Sequence, residues 1–100
     1  MLAAVPTATV VVTNPTHYAV ALTYDSQKSS VPTLVAKGVD TLAVRIKEVA
    51  REHGVPVVVN PPLARTLHEL PLGSAIPPPL YKVVAELIAY VWRISGRRRS

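Results

Sequence analysis

Residues 9–24, TVVVTNPTHYAVALTY, carry the pattern from which the rest of the fold follows. Thr9-Val-Val-Val-Thr13 is β-branched throughout, has strand length and stops at Asn14-Pro15, as a buried strand ending in a turn does. Beyond the interruption the chain alternates, with Tyr18, Val20, Leu22 and Tyr24 on one side and Ala19, Ala21 and Thr23 on the other. That period of two predicts a second strand. Asn14-Pro15-Thr16-His17 is then a short connection fixed between two packed strands.

Working outward, Asp25 to Ser30 is a polar loop, and Thr33-Leu-Val-Ala-Lys37 reads as a third strand closed by Gly38. A helix follows, with Asp40 expected as its N-cap. Leu42, Ala43, Ile46, Val49, Ala50 and His53 recur on its apolar face, and Gly54 supplies a left-handed stop. Val55 to Val59 is a fourth strand, which should pair with Thr33 to Lys37 as a βαβ crossover. Asn60 is the expected cap of a short helix from Leu63 to Glu69, with Pro61 and Pro62 placed where a first turn tolerates them. Pro77, Pro78 and Pro79 launch the last helix, whose stripe of Leu80, Val83, Val84, Leu87, Ile88 and Val91 should cover one face of the sheet. The order β-β-β-α-β-α-α predicts an α/β domain: a small mixed four-stranded sheet flanked by helices, with the turn between the first two strands.

Composition narrows the function. One hundred residues fit a single core burying roughly two-thirds of the unfolded chain's surface; the expected domain is residues 1–95, with a basic tail at 96–100. Apolar residues make up 49% of the chain, mostly small ones, with no Phe and a single Trp. Cysteine is absent, which excludes disulfides, thiolate metal sites and cysteine nucleophiles. The longest apolar runs fall far short of the roughly 20 residues that span a bilayer, and residues 1–4 lack the basic start of a secretory signal. The formal charge of +5 drops to +2 without Arg97, Arg98 and Arg99, and no aromatic residues interleave with the basic ones, which argues against nucleic acid as a partner. His17, His53 and His68 show no metal-ligand spacing, and no Gly-rich phosphate cradle is present.

The turn is the element with chemistry. An asparagine side-chain amide nitrogen can attack its own main-chain carbonyl carbon, closing a five-membered succinimide and expelling the next residue's nitrogen. The usual competing reaction, attack of the following backbone nitrogen on the side chain, is blocked when that residue is proline, whose nitrogen carries no hydrogen. Orientation is the remaining requirement, and a near-attack geometry supplies roughly 7–11 kcal/mol of such a barrier. His17 belongs to the residue type suited to moving a proton near neutral pH, and bracing the turn is its structural alternative. Asn60-Pro61 is an internal control: it leads into a helix rather than a strand and is expected to stay intact.

With these residues read, the segment from Val10 to Leu22 resembles the cleavage segment of the FlhB/YscU family of type III export switch proteins. Val35-Ala-Lys-Gly38, Ala50-Arg-Glu-His-Gly-Val-Pro56, Asn60-Pro-Pro-Leu-Ala-Arg65 and Ile76-Pro77 with Leu80-Tyr81 and Val84-Ala-Glu86 look like further blocks of that family in the same order, while residues 70–75 match only loosely. The blocks at Val35 and Asn60 are more similar to the flagellar branch.

The resemblance implies self-cleavage between Asn14 and Pro15, with Asn14, Pro15, Thr16 and His17 as the site, no cofactor or metal, and a single turnover rather than enzymatic catalysis. It implies fragments that stay associated, and a place at the cytoplasmic face of the bacterial inner membrane through an N-terminal part outside this chain. The implied partners are export-gate proteins, export substrates and a length-control protein, and the implied consequence of cleavage is a change of exported substrate class. The alternative is a freestanding, non-cleaving interaction module that docks partners through Arg65, Lys37 and the polar side of the last helix.

Overall fold

A computed structural model describes residues 1–15, 17–28 and 31–95. Thr16, part of the loop before the third strand, and the tail at 96–100 therefore lie outside the described residues. Strand β1 spans Val10–Asn14, β2 Tyr18–Thr23, β3 Thr33–Val39 and β4 Val57–Val59. Helix α1 spans Asp40–Glu52, α2 Pro61–His68 and α3 Tyr81–Ser95, with 3₁₀ turns at Leu2–Thr7 and Pro78–Leu80.

The sheet runs β3-β2-β1-β4, antiparallel except for the parallel β1–β4 pair. Its mixed character is that expected from the sequence. The βαβ reading needs correction: β3 and β4 occupy opposite edges, so α1 carries the chain across β2 and β1 rather than between neighbours. The hairpin has already filled the two middle positions, and the only free ladder beside β1 is its outer one.

The alternation in β2 sorts the core into two layers. Val10, Val12, Val20, Leu22 and Leu34 pack with Leu63, Ala64 and Leu67 of α2 and Val84, Ile88 and Val91 of α3. Val11, Ala19, Ala21 and Ala36 face the other way, onto Ala43, Ile46 and Ala50 of α1 and Val5 of the first 3₁₀ turn. The small residues lie on the α1 side, so this helix can approach closely. Within α3 the buried stripe is narrower than expected: Val83 is 38% exposed.

The helix ends divide. Asn60 caps α2 as expected, its Oδ1 accepting the Leu63 N–H at 3.2 Å. Asp40 does not cap α1: no side-chain cap bond is made there, and Asp40 sits at φ 48°. An N-cap residue needs extended backbone, and that position falls to Val39 at φ −118° and ψ 156°; the Asp40 main-chain N–H continues the β2–β3 ladder one bond further, to the His17 carbonyl at 3.0 Å. Gly38 explains how α1 can begin so abruptly, because a Cβ there would fall 2.5 Å from Leu42 Cγ and 2.9 Å from Leu42 Cβ.

Gly38→Ala should therefore overpack this junction and lower stability by about 1–3 kcal/mol in urea unfolding. Leu42→Ala in the same chain should restore part of the loss.

Candidate functional site

Three features of β1 fix where Asn14 stands. Val10, Val11 and Val12 are fully buried, and Thr13 is 1% exposed. Its partners lie on both edges, with Asn14 opposite Tyr18 in β2 and Thr13 opposite Val59 in β4. Polar bonds close the end of the strand: Thr13 Oγ1 donates to the Val58 carbonyl at 3.2 Å, and the Asn60 N–H donates to the Thr13 carbonyl at 2.9 Å. Asn14 is thus held up to its own Cα by a rigid frame, while its side chain is only half-buried.

A bond from the His17 main-chain N–H to the Asn14 carbonyl oxygen at 2.9 Å closes the turn. That oxygen belongs to the carbonyl that an asparagine cyclisation attacks. A donor already seated on it polarises the carbonyl and meets the negative charge that develops in a tetrahedral intermediate, the arrangement of an oxyanion hole. Among the described residues no hydrogen bond holds the Asn14 side-chain amide. Pro15 and His17 are exposed at the tip. The structure therefore brings together Asn14, Pro15 and His17 among the expected site residues, and Thr16 lies outside the described residues.

A second layer backs the turn from the α2 side. The Tyr18 ring lies 6.2 Å from the His17 ring and 4.7 Å from that of His68. Lys37 Nζ donates to the carbonyls of His68 at 3.1 Å and Leu70 at 2.8 Å, tying the end of α2 to β3. Lys37 is thereby engaged within the fold, and of the cations offered as a docking surface only Arg65 stands exposed on α2. Burial, and next the Lys37 ammonium, push the His68 imidazole below the ordinary histidine range, against an opposing pull from Glu69.

One feature lay outside the sequence reading. Tyr24, Pro32, Tyr81, Ala85, Ile88, Ala89 and Trp92 line an apolar groove of about 340 Å³ along the outer flank of α3. Tyr24 and Trp92 form one wall, their ring centroids 6.1 Å apart. The available signal was Ala85 and Ala89, two small residues four apart on a helix otherwise built of larger ones. Among the described residues no group of three or more His, Cys, Asp or Glu side chains stands close enough to hold a metal ion, and no helix is long and apolar enough to cross a membrane.

The model of the FlhB HrpN YscU SpaS family matches residues 1–91. The flagellar biosynthetic protein FlhB of Salmonella typhimurium is 52% identical over 99 residues, and that of Bacillus subtilis is 50% identical over 94. These matches cover 98% and 93% of this chain but 26% of each relative, so the chain spans about a quarter of their length. Among solved structures, the cytoplasmic domain of FlhB from Shewanella putrefaciens superposes with a TM-score of 0.86 at 44% identity, covering 99% of this chain and 81% of that one. A mutated EscU C-terminal domain superposes with a TM-score of 0.85 at 31% identity, covering 89% of this chain and 90% of that one.

The His68 shift has a definite sign. Its folded-state pKa is lowered, so the unfolded chain binds the proton more readily and stability falls as pH drops below about 6.5, levelling off beneath the folded value. The slope is shallow because the ring is partly exposed. Thermal unfolding between pH 8 and 5 should show this decline, and His68→Phe, which keeps a ring against Tyr18, should flatten it.

Proposed function

This chain belongs to the FlhB HrpN YscU SpaS family, and from that premise we propose that it is a self-cutting switch component of a flagellar type III export apparatus. The cut falls between Asn14 and Pro15. The observation that carries this reading is the His17 N–H seated on the Asn14 carbonyl oxygen in a turn whose strands cannot shift.

Scission itself balances without a cofactor or external reactant, and water enters only afterwards. Asn14 Nδ2 forms a bond to the Asn14 carbonyl carbon, and the His17 N–H stabilises the oxyanion. The carbon–nitrogen bond to Pro15 breaks, and a proton lost from Nδ2 ends on the Pro15 nitrogen, with the His17 ring as its proposed carrier. The products are a succinimide at residue 14, which water opens, and a new amino terminus at Pro15. Each chain reacts once. Residues 1–14 supply a central strand, so the two pieces stay associated, and the change at the turn alters which substrate class the apparatus accepts.

Asn60 gives the contrast. Its Oδ1 is bound to the Leu63 N–H, and its own N–H to the Thr13 carbonyl, so the side chain is turned into the helix start and kept from its carbonyl.

The apolar groove on α3 favours a second element of the same function: a site for an apolar segment of an export substrate, which a pocket of this lining would bind through buried side-chain area. Export-gate components and a length-control protein are the further proposed partners, at the cytoplasmic face of the inner membrane.

Denaturing mass measurement should find residues 1–14 and 15–100 as separate species, with Asn14→Ala whole and the Asn60–Pro61 bond intact throughout. A single full-length mass after long incubation would sink the scission reading. Ala89→Glu should abolish pull-down of export substrates while leaving the mass pattern of scission unchanged; retained pull-down would remove the groove from the proposal.

A further inference from the structure

Asp40 is the one non-glycine residue with positive φ among those described. Backbone of this kind persists only where its surroundings over-determine it. Here they do: Gly38 lets Leu42 close down on the end of β3, and the Asp40 N–H completes the ladder at the His17 carbonyl. The strained junction sets the position of α1 relative to the turn. Two helical turns further on, Lys47 extends from α1 to the tip of the turn, its Nζ donating to the Pro15 carbonyl at 3.4 Å. Three carbonyls of the turn thus have donors: that of Asn14 from within the turn, and those of Pro15 and His17 from α1 and its start.

We propose that Lys47 is a positioning residue for the scission, holding Pro15 from α1 while β1 holds Asn14. The inference rests on the scission reading above. The bond that breaks joins a residue fixed by the sheet to one at an exposed tip. Attack on the Asn14 carbonyl carbon requires the plane of the scissile peptide to stay in one rotation as Nδ2 closes on it, and a tip free to turn would lose that alignment. The bond of the ammonium is to the Pro15 carbonyl oxygen, which is neither attacked nor expelled, so Lys47 contributes alignment rather than proton transfer. Its structural alternative is a solvated lysine on an amphipathic helix, which would leave the rate unchanged.

The test is a pulse–chase time course of the full chain made by cell-free synthesis, read by denaturing mass. Lys47→Met should cut roughly five- to tenfold more slowly than the parent, the loss of one charge-assisted bond at a partly exposed site. Lys47→Arg should recover to within about twofold. Arg51→Met removes the same charge from an exposed position on the same helix and should match the parent. Raising salt to about 0.5 M should slow the parent towards the Lys47→Met rate without further slowing that variant, because a partly exposed cation is screened.

Lys47→Met cutting at the parent rate overturns the proposal, as does equal slowing by Arg51→Met, which would reduce the effect to net charge. A parent chain that stays whole through the chase defeats the scission reading itself, and this inference with it. The parent course and the variant ratio thus report the two failures separately.

Discussion

The pairing of β1 on both edges and its burial on both faces is the constraint on which the remaining structure depends. An interior strand with no free ladder and no exposed face has no alternative register: slipping by one residue would exchange Val10 and Val12 with Val11 and Thr13 between layers that differ in size. The α1 layer is lined with Ala19, Ala21 and Ala36, and the α2–α3 layer with Val20, Leu22 and Leu34. Register fixes Asn14 opposite Tyr18, and that pairing leaves the chain three residues in which to reverse. The turn inherits its geometry from packing some distance away. A reactive dipeptide on a mobile loop would lack this advantage.

The same logic explains which parts of the fold were legible in the sequence. Burial on both faces writes itself as Val10-Val11-Val12, and unequal layers as the Tyr18–Tyr24 alternation; both are local patterns that tertiary structure preserved. Asn60 was readable because its cap is a contact three residues away. Asp40 looked equally suitable as a cap, but where the β2–β3 ladder ends on His17, 23 residues earlier, its backbone takes positive φ and the extended N-cap position falls to Val39. The crossing of α1 over two strands and the groove on α3 were illegible for a related reason. Each depends on which distant segments meet, and the groove draws Tyr24 and Pro32 from outside its helix altogether.

The site itself divides in the same way. Asparagine as nucleophile and proline as a block on deamidation are properties of two adjacent residue types, visible in any chain that holds them. The donor on the Asn14 carbonyl is a property of the closed turn, and the Lys47 contact is a property of the α1 position. The residue types of the proposed chemistry are therefore local to the sequence while their alignment is not, and it is in alignment that Asn14-Pro15 differs from Asn60-Pro61. Both dipeptides begin at the end of a strand and precede a reversal of the chain. They differ in their partners among the described residues: the Asn60 side chain caps a helix, and the Asn14 carbonyl accepts the bond that closes a turn.

Placing the proposed scissile bond in a hairpin between interior strands has a further physical consequence. Scission there removes the covalent link between β1 and β2 and forfeits the turn's own hydrogen bond, but the strand pairs from Val10 opposite Leu22 to Thr13 opposite Ala19 do not depend on that link. Val5, Ala8, Val10, Val11 and Val12 would have to be exposed to water for the first segment to depart, and burying each such valine contributes about 1.5–3 kcal/mol. The β4 ladder would be lost with them, since β1 is the strand on which β4 pairs. A cut at this point would therefore free the exposed tip at Pro15 and His17 to change conformation while leaving the core packed. Cutting at Asn60-Pro61 would instead release a helix whose start is itself part of the core. Of the two Asn-Pro bonds, the hairpin site is the one where a broken chain and an intact domain are compatible.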